Sequence, residues 1–439
     1  MKILVENGCH HLKNLGDVAM LQVAVGRLKG LWPGARIGVV ADDPMLLMRY
    51  CPEAYSVPAH GHRLWFEGSL FGRLHQIAPR AISQTLKAVE DWVRDRYPAV
   101  ARALFSIKMR LRGRVVTDMT VFMQELSNAD VVVVSGGGDL NDAFASFALT
   151  LLGVLKTANH AGKTTAMFGQ GLGPINNPAS RLPNLCRRTL TALDVIGIRE
   201  RRVGPAMLKA FGVEASRVMV TGDDAIELAY EQRVTALGTA IGINLRISEY
   251  AGVTRALATD IRQVLHSVAV RQGADIIPVP ISLIEVESDL ESVRELLTGS
   301  GRADINGADL TTPTKVIAQV GRCRLVVAGS YHAAVFALAQ GIPAVCLAKS
   351  EYYKDKFLGL AEQFGDGCEV ILLNDADFRN KMAQAIENAW SSAERVRPGL
   401  LDAALRQIET GKSCYARLRD VVESKGSTAA PEPFRGGAL

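Results

Sequence analysis

The sequence predicts an α/β protein made of two doubly wound, Rossmann-like domains facing each other across a cleft. Three observations lead there. Short β-branched runs recur along the chain, bounded by glycine and separated by helical patterns, as in βα units feeding a parallel sheet. The rhythm pauses between Glu231 and Gly238 and restarts at Ala240. The chain's 439 residues exceed one ordinary domain and suffice for two or three full cores.

In order, Ile3-Leu4-Val5 is the first expected strand, followed by a loop and a helix from about Asp17 to Leu31. Ile37 to Val40 is the second strand. Asp130 to Val134 is the third, ending in the glycine run Ser135-Gly136-Gly137-Gly138. Thr164 to Phe168 is the fourth, ending in GQGLGP. Val195 to Ile198 precedes Arg199, and Val218 to Val220 precedes Thr221-Gly222-Asp223. These elements define a first domain over residues 1–235. A second, over residues 236–397, has strands at Ala240–Asn244, Asp275–Val279, Leu325–Ala328, Ala344–Leu347 and Val370–Leu372. Its helices fit Thr254–Gln272, Glu285–Thr298, Pro313–Gly321 and Phe378–Ala393. A separate C-terminal helix over residues 398–425 and a disordered tail over residues 426–439 complete the chain.

One region breaks the rhythm. Gly61 to Val115 shows no strand pattern and reads as a helical, basic insertion in the first domain. Arg63, Arg73, Arg80, Arg94, Arg96, Arg102, Arg110, Arg112 and Arg114 are interleaved with Trp65, Phe66, Phe71, Trp92 and Phe105. A basic amphipathic surface of this kind could lie on anionic lipid. Charge runs are usually exposed faces, which favours a solvated hairpin that packs its aromatics on the first domain.

Composition narrows the function. Hydrophobic residues make up 48% and charged residues 22%, as in ordinary globular proteins. A net charge of +5 accommodates an anionic substrate or membrane surface. It does not call for nucleic acid, and no RRM, zinc-finger or basic-zipper pattern is present. Seven scattered cysteines without a C-x-x-C pair read as reduced thiols. The N-terminal apolar run is too short for a signal peptide, and no window approaches the roughly 18 apolar residues of a membrane span. A cytoplasmic protein is expected, peripheral at most to the inner face of a membrane.

Several motifs fall at strand ends, the edge where open α/β folds bind ligands. Asn14-Leu15-Gly16-Asp17 follows the first strand; Gly16 permits a tight turn and Asp17 suits a helix cap. SGGGDLND, from Ser135 to Asp142, would let backbone N–H groups approach a ligand; its Asp139 and Asp142 read equally as helix caps. It is neither G-x-G-x-x-G nor a Walker A loop. GQGLGP, with Gln170, is a further glycine loop. Arg199 could clamp a carboxylate or phosphate, or pair with Glu200 or Asp194. Asp223-Asp224 could act as a base, hold a metal or cap a helix. No cluster has zinc spacing: His10-His11 is isolated and His60-x-His62 falls in an expected loop, so neither metal nor cofactor is expected.

His332 has the strongest local case. It follows Gly329-Ser330 where a buried strand becomes a helix. A helix N-terminus attracts anions and disfavours the imidazolium, and a bound anion would restore it, preparing a general acid. Lys349, Tyr353, Lys354 and Lys356 follow the next strand and could reach the same anion.

Taken in order, these pieces resemble the polysaccharide pyruvyltransferase family. They are the N-x-G-D turn Asn14–Asp17, SGGGDL, GQGLGP, Ile198-Arg199-Glu200, Asp223 to Ala225, IGINLR (Ile241 to Arg246) and the S-x-H-A…G-I-P…Y-x-x-K block from Ser330 to Lys356. The resemblance implies a GT-B-like fold. It also implies transfer of a pyruvyl group from phosphoenolpyruvate to hydroxyls of a sugar in a cell-surface polysaccharide or its lipid-linked precursor, forming a ketal. Arg199 and His332 would contact the donor, with His332 as general acid and Asp223 or Asp17 orienting or deprotonating the acceptor. Asn14, Gly16, Gly136, Gly137, Gly138, Gln170, Asn244, Arg246, Ser330, Tyr331, Tyr353 and Lys356 complete the expected binding set. The family often carries arginine two residues before this histidine. Here Ser330 stands there, and Lys349, Lys356 or Arg246 would replace the cation. The alternatives are a glycosyltransferase using a nucleotide sugar, or a non-catalytic subunit of polysaccharide synthesis or export.

Overall fold

The computed structural model describes residues 1–72, 79–177, 180–247, 252–285, 288–297 and 307–428. The first half of the chain runs β1 (Lys2–Glu6), α1 (Leu15–Leu31), β2 (Arg36–Ala41), α2 (Pro44–Tyr50), β3 (Ala54–Pro58), α3 (Ala59–Phe66), α4 (Arg80–Arg96), α5 (Pro98–Leu111) and α6 (Thr117–Asn128). It continues through β4 (Val131–Val134), β5 (Gly137–Leu140), α7 (Ala145–His160), β6 (Thr164–Leu172), α8 (Leu182–Leu190), β7 (Val195–Ile198), α9 (Gly204–Phe211), β8 (Val218–Val220) and α10 (Ala225–Glu231). The second half holds β9 (Ala240–Asn244), α11 (Arg255–Gln272), β10 (Ile276–Pro278), α12 (Asp289–Leu297), α13 (Pro313–Val320), β11 (Cys323–Ala328), α14 (Tyr331–Ala339), β12 (Ala344–Ala348), α15 (Glu351–Phe364), β13 (Cys368–Leu372) and α16 (Phe378–Thr428).

Two parallel sheets result. The first has the order β3-β2-β1-β4-β6-β7-β8, with β5 added beside β6; the second has the order β10-β9-β11-β12-β13. Helices cover both faces, which is why strands such as Val131–Val134 are buried at every residue and carry no polar alternation. This is the two-Rossmann arrangement expected. The boundary expected at 235/236 falls between α10 and β9, although Ala225, Ile226 and Ala229 of α10 pack in the second sheet's core.

Two strands escaped the pattern. β3 is a half-buried edge strand, and β5 consists mostly of glycine and polar residues. Pairing with β5 carries β6 through Gly169–Leu172, so GQGL is strand rather than loop. His62 lies in helix α3, not in a loop.

The insertion is helical within its described residues; Arg73 lies outside them. Its aromatics divide between core and surface. Trp65 and Phe105 meet edge-to-face at 5.9 Å inside the core, whereas Trp92 is 56% exposed. Arg94 is no surface charge: it donates to the carbonyls of Trp65 at 2.6 Å and Gly68 at 2.8 Å and pairs with Glu90 at 2.8 Å.

The C-terminal segment departs most from expectation. Two helices broken near Pro398 were expected, but α16 runs unbroken from Phe378 to Thr428 with Pro398 inside it. Proline at mid-helix removes a hydrogen bond and costs about 3 kcal/mol. Burial on both sides, by Val396 and Leu400, overrides that preference. The helix begins on the second core through Met382, Ala385 and Ile386, and ends on the first through Cys414, Tyr415 and Leu418. Of the expected tail, residues 426–428 continue this helix and residues 429–439 lie outside the described region. No helix among the described residues is long and apolar enough to cross a membrane.

Candidate active site

Both sheets direct loops into the cleft from the points where their strand order reverses, after β1 and β4 in one and after β9 and β11 in the other. The loop after β1 is pinned to the opposite domain. Leu15 N donates to the Ile281 carbonyl and Leu283 N to the Lys13 carbonyl, both at 2.8 Å, with Asn14 and Ser282 bridging between them. A cavity of about 310 Å³ lies beside this seam, lined by residues of both domains. Asn14, Asp17, Gly138, Arg199, Arg246, Ser330, Tyr331, His332, Tyr353 and Lys356 all reach it.

His332 sits in the first turn of α14. Ser330 occupies the cap position but makes no capping bond; its hydroxyl donates to Asn244 Oδ1 instead. The imidazole rests against Gly16 in the first turn of α1, where any β-carbon would overlap the ring. Asn14, not Asp17, caps α1, with its Oδ1 accepting from Gly16 N at 3.1 Å and Asp17 N at 3.5 Å, so the Asp17 carboxylate faces the cavity.

Behind His332 lies a buried carboxylate that faces groups from both domains. Asp223 Oδ2 is 3.5 Å from His332 Nε2 and 3.5 Å from Arg199 Nη1. Burial pushes the Asp223 carboxyl up, but Arg199 and then His332 outweigh it and hold it below the ordinary carboxylate range. Arg199 is 2% exposed; it donates from Nε to the Gly169 carbonyl at 3.1 Å, and its guanidinium lies 4.8 Å from the Tyr331 ring centre. Neither Glu200 nor Asp194 is its partner. Glu200 accepts backbone N–H groups of residues 202–204, and Asp194 binds Thr165 N and Lys425.

The wall opposite carries Lys356 and Asp139. Burial and the neighbouring Arg199 charge lower Lys356 to about 7, while burial and Asp17 raise Asp139 to about 6. Lys356 Nζ donates to the Tyr352 hydroxyl, which donates in turn to the Gly138 carbonyl at 2.9 Å across the domain interface. Arg246 also lines the cavity, with Asp289 gripping it at 2.7 and 3.2 Å. Of the three cations considered in place of the family arginine, Lys356 and Arg246 line the cavity and Lys349 does not.

Six expected site residues are not part of the lining: Gly16, which packs under the His332 ring, and five others. Gln170 is sealed within β6, where its side-chain amide donates to the Gly137 carbonyl at 3.0 Å. Gly136 is a packing glycine: its φ is 95° and a β-carbon would lie 2.7 Å from the Phe168 carbonyl oxygen. Gly137 is buried beside it. Asn244 is fully buried and supports Ser330 and Asp289. Asp223 sits behind His332 rather than in the cavity lining, with Oδ2 3.5 Å from His332 Nε2. Sequence reasoning in turn missed Asp139, which reads as a helix cap, and Asp289, whose carboxylate also accepts from Ile281 N and Ser282 N. The only metal-competent cluster among the described residues, Glu6, His10 and His62, lies outside this cavity.

The family model for polysaccharide pyruvyl transferase matches residues 14–351. No curated protein matches the chain. Among solved structures, a protein assigned as a UDP-N-acetylglucosamine 2-epimerase from Listeria monocytogenes aligns with a TM-score of 0.55 at 12% identity, covering 99% of each chain. HepE from Anabaena, in complex with UDP and glucose, aligns with a TM-score of 0.50 at 16% identity, over 97% of this chain and 100% of that one. UGT89C1 from Arabidopsis thaliana, complexed with quercetin, gives 0.50 at 12% identity over 96% and 98%. At such identities the likeness is one of fold, and the fold is GT-B.

Proposed function

The chain belongs to the polysaccharide pyruvyl transferase family, and from that premise we propose that it transfers the pyruvyl group of phosphoenolpyruvate to two hydroxyls of a glycan acceptor. The observation that supports this donor is the convergence of Arg199, Arg246, Lys356, His332 and the uncapped start of α14 on one cavity. A small dianion with a carboxylate and a phosphate needs such a set.

In this reading His332 protonates C3 of the enol, and the positive charge that develops at C2 draws the first sugar hydroxyl. That hydroxyl bonds to C2 and gives its proton to a carboxylate on the facing wall. Asp139, raised to about 6, suits that role, and Asp17 beside it holds the acceptor. The second hydroxyl then bonds to C2 as the C2–O bond to phosphate breaks; its proton returns to His332, and inorganic phosphate leaves with a cyclic ketal as the product. Asp223 acts through His332 and Arg199, keeping both aimed at the donor. No cofactor enters these steps.

Helix α5 supports a membrane setting for the acceptor. Ala101, Phe105 and Met109 face the core, while Val100, Leu104, Ile107 and Leu111 form a second stripe that faces outward, the last of them 84% exposed. Arg102, Arg110, Arg112 and Arg114 lie along the same segment. An apolar stripe among arginines suits the anionic inner face of a membrane, where a lipid-linked acceptor would be met.

The test is phosphate release from phosphoenolpyruvate in the presence of a glycan carrying a free diol, with the product's ketal identified by NMR. Acceptor-dependent phosphate release supports the reading. Release of a nucleotide from a sugar nucleotide, with none from phosphoenolpyruvate, would replace it with glycosyl transfer.

A further inference from the structure

We infer that Glu6, His10 and His62 form a binding site for one zinc ion, separate from the cleft. Their donor atoms lie within 4.8 Å of one another, and all three side chains are buried. Glu6 stands at the end of β1, His10 in the loop that follows, and His62 in α3. Glu6 reaches both histidines, through Oε1 to His10 Nε2 and with Oε2 3.7 Å from His62 Nε2. The two imidazoles meet edge-to-face with centres 4.9 Å apart, and Phe66 and Phe122 enclose His62.

A purely hydrogen-bonded cluster fits these atoms poorly. Among the described residues, Glu6 Oε2 and both ring nitrogens of His62 have no hydrogen-bond partner. A cation between Glu6 and the imidazoles would engage two of these three atoms at once. The donor set selects its class. Two imidazole nitrogens and one carboxylate suit zinc and its first-row neighbours, whereas calcium and magnesium prefer all-oxygen shells. Three protein ligands also leave one position open, as zinc permits. Bonds of about 2.0–2.1 Å would draw the more widely spaced donors together and open the short Glu6–His10 contact. Among the described residues His62 Nδ1 has no acceptor to orient the ring, an arrangement that typically lowers metal affinity by roughly 10–100-fold.

A bound ion would fasten the β1–α1 loop to α3. Cys9 and His11, the neighbours of His10, line the catalytic cavity, so occupancy would stiffen one of its walls. The inference stands whether or not the cavity binds phosphoenolpyruvate, because its readouts are metal content and spectrum.

The experiment strips the full-length protein with a chelator, restores it with zinc, desalts it and measures bound metal, in parallel with cobalt(II) titration. Wild type should retain about one zinc per chain and give the visible absorption of four-coordinate cobalt. His62→Gln and Glu6→Gln, which keep the backbone and roughly the side-chain volume, should lower zinc retention by roughly tenfold or more. His60→Gln, on the exposed side of α3, should retain it. Wild type that takes up neither zinc nor cobalt would overturn the inference, as would folded His62→Gln and Glu6→Gln proteins that keep a full equivalent. Should a variant fail to fold, the wild-type cobalt spectrum decides alone.

Discussion

Gly16 and His332 are distant in sequence yet share one small volume, so neither can be judged alone. Gly16→Ala is compatible with a helical first turn but places a methyl group on the imidazole. It should therefore mimic His332→Ala in activity, each lowering kcat by roughly 10²–10⁴-fold; the His332→Ala melt should stay close to wild type, whereas the clash in Gly16→Ala should lower stability by about 1–3 kcal/mol. A fully active, folded His332→Ala enzyme would remove the assigned acid. A second residue-scale prediction concerns pH. Lys356, lowered to about 7, is charged below that pH and loses its charge above it. Asp139, raised to about 6, gains charge as pH rises through that value. Anion binding therefore weakens with rising pH on both counts, while a base at Asp139 must be deprotonated to work. The profile of kcat/KM against pH should be bell-shaped, with limbs near 6 and 7 that belong to the coupled pair. A flat profile from 5.5 to 8.5, each limb being about tenfold per unit, would contradict this. His332, Arg199 and Asp17 were legible because each follows an apolar strand at a position that binds ligands in open α/β folds. Asp139 was not, since an acid before a helix reads first as a cap. Neither was the grouping of Glu6 with His62, whose proximity depends on the path of α3.

At the scale of elements, period and burial decide what was legible. Central parallel strands announce themselves as apolar runs, so β1, β4, β7, β9 and β11 were placed within a residue or two. Edge strand β3 and glycine-rich β5 have no such run, because pairing rather than side-chain burial makes them strands. Helix α5 carries two apolar stripes, and composition could not say which would be buried. The structure assigns Ala101, Phe105 and Met109 to the core and leaves Leu104 and Ile107 outside, 53% and 56% exposed. The paired change Leu104→Glu with Ile107→Glu should leave the melting temperature unchanged within a few degrees, because it touches no core contact. It should also abolish co-sedimentation with vesicles containing phosphatidylglycerol. Equal sedimentation of wild type and variant, or none by wild type, would remove the lipid contact. Phe105→Ala on the same helix should instead destabilise the protein by about 3–5 kcal/mol in urea unfolding.

For the molecule as a whole, the two-domain plan was legible from the restart of the βα rhythm, but the path of the last helix was not. Proline is a strong local signal for a break, and only the surfaces on either side of Pro398 reveal why the helix continues. Its far end is well anchored: the Tyr415 ring stacks on Phe168 with centres 3.7 Å apart, and its hydroxyl donates to Asp224 at 2.7 Å. A chain ended after residue 397 should therefore unfold at a clearly lower temperature than the full protein, as read by calorimetry, because the first core is left open. The shared charge of Asp223 has a consequence for descent. The histidine it aims comes from one half of the chain, and the arginine it holds comes from the other. The halves cannot be inherited as interchangeable modules: a gene spliced near its midpoint from two distant parents would mate an acid with a base it was never matched to.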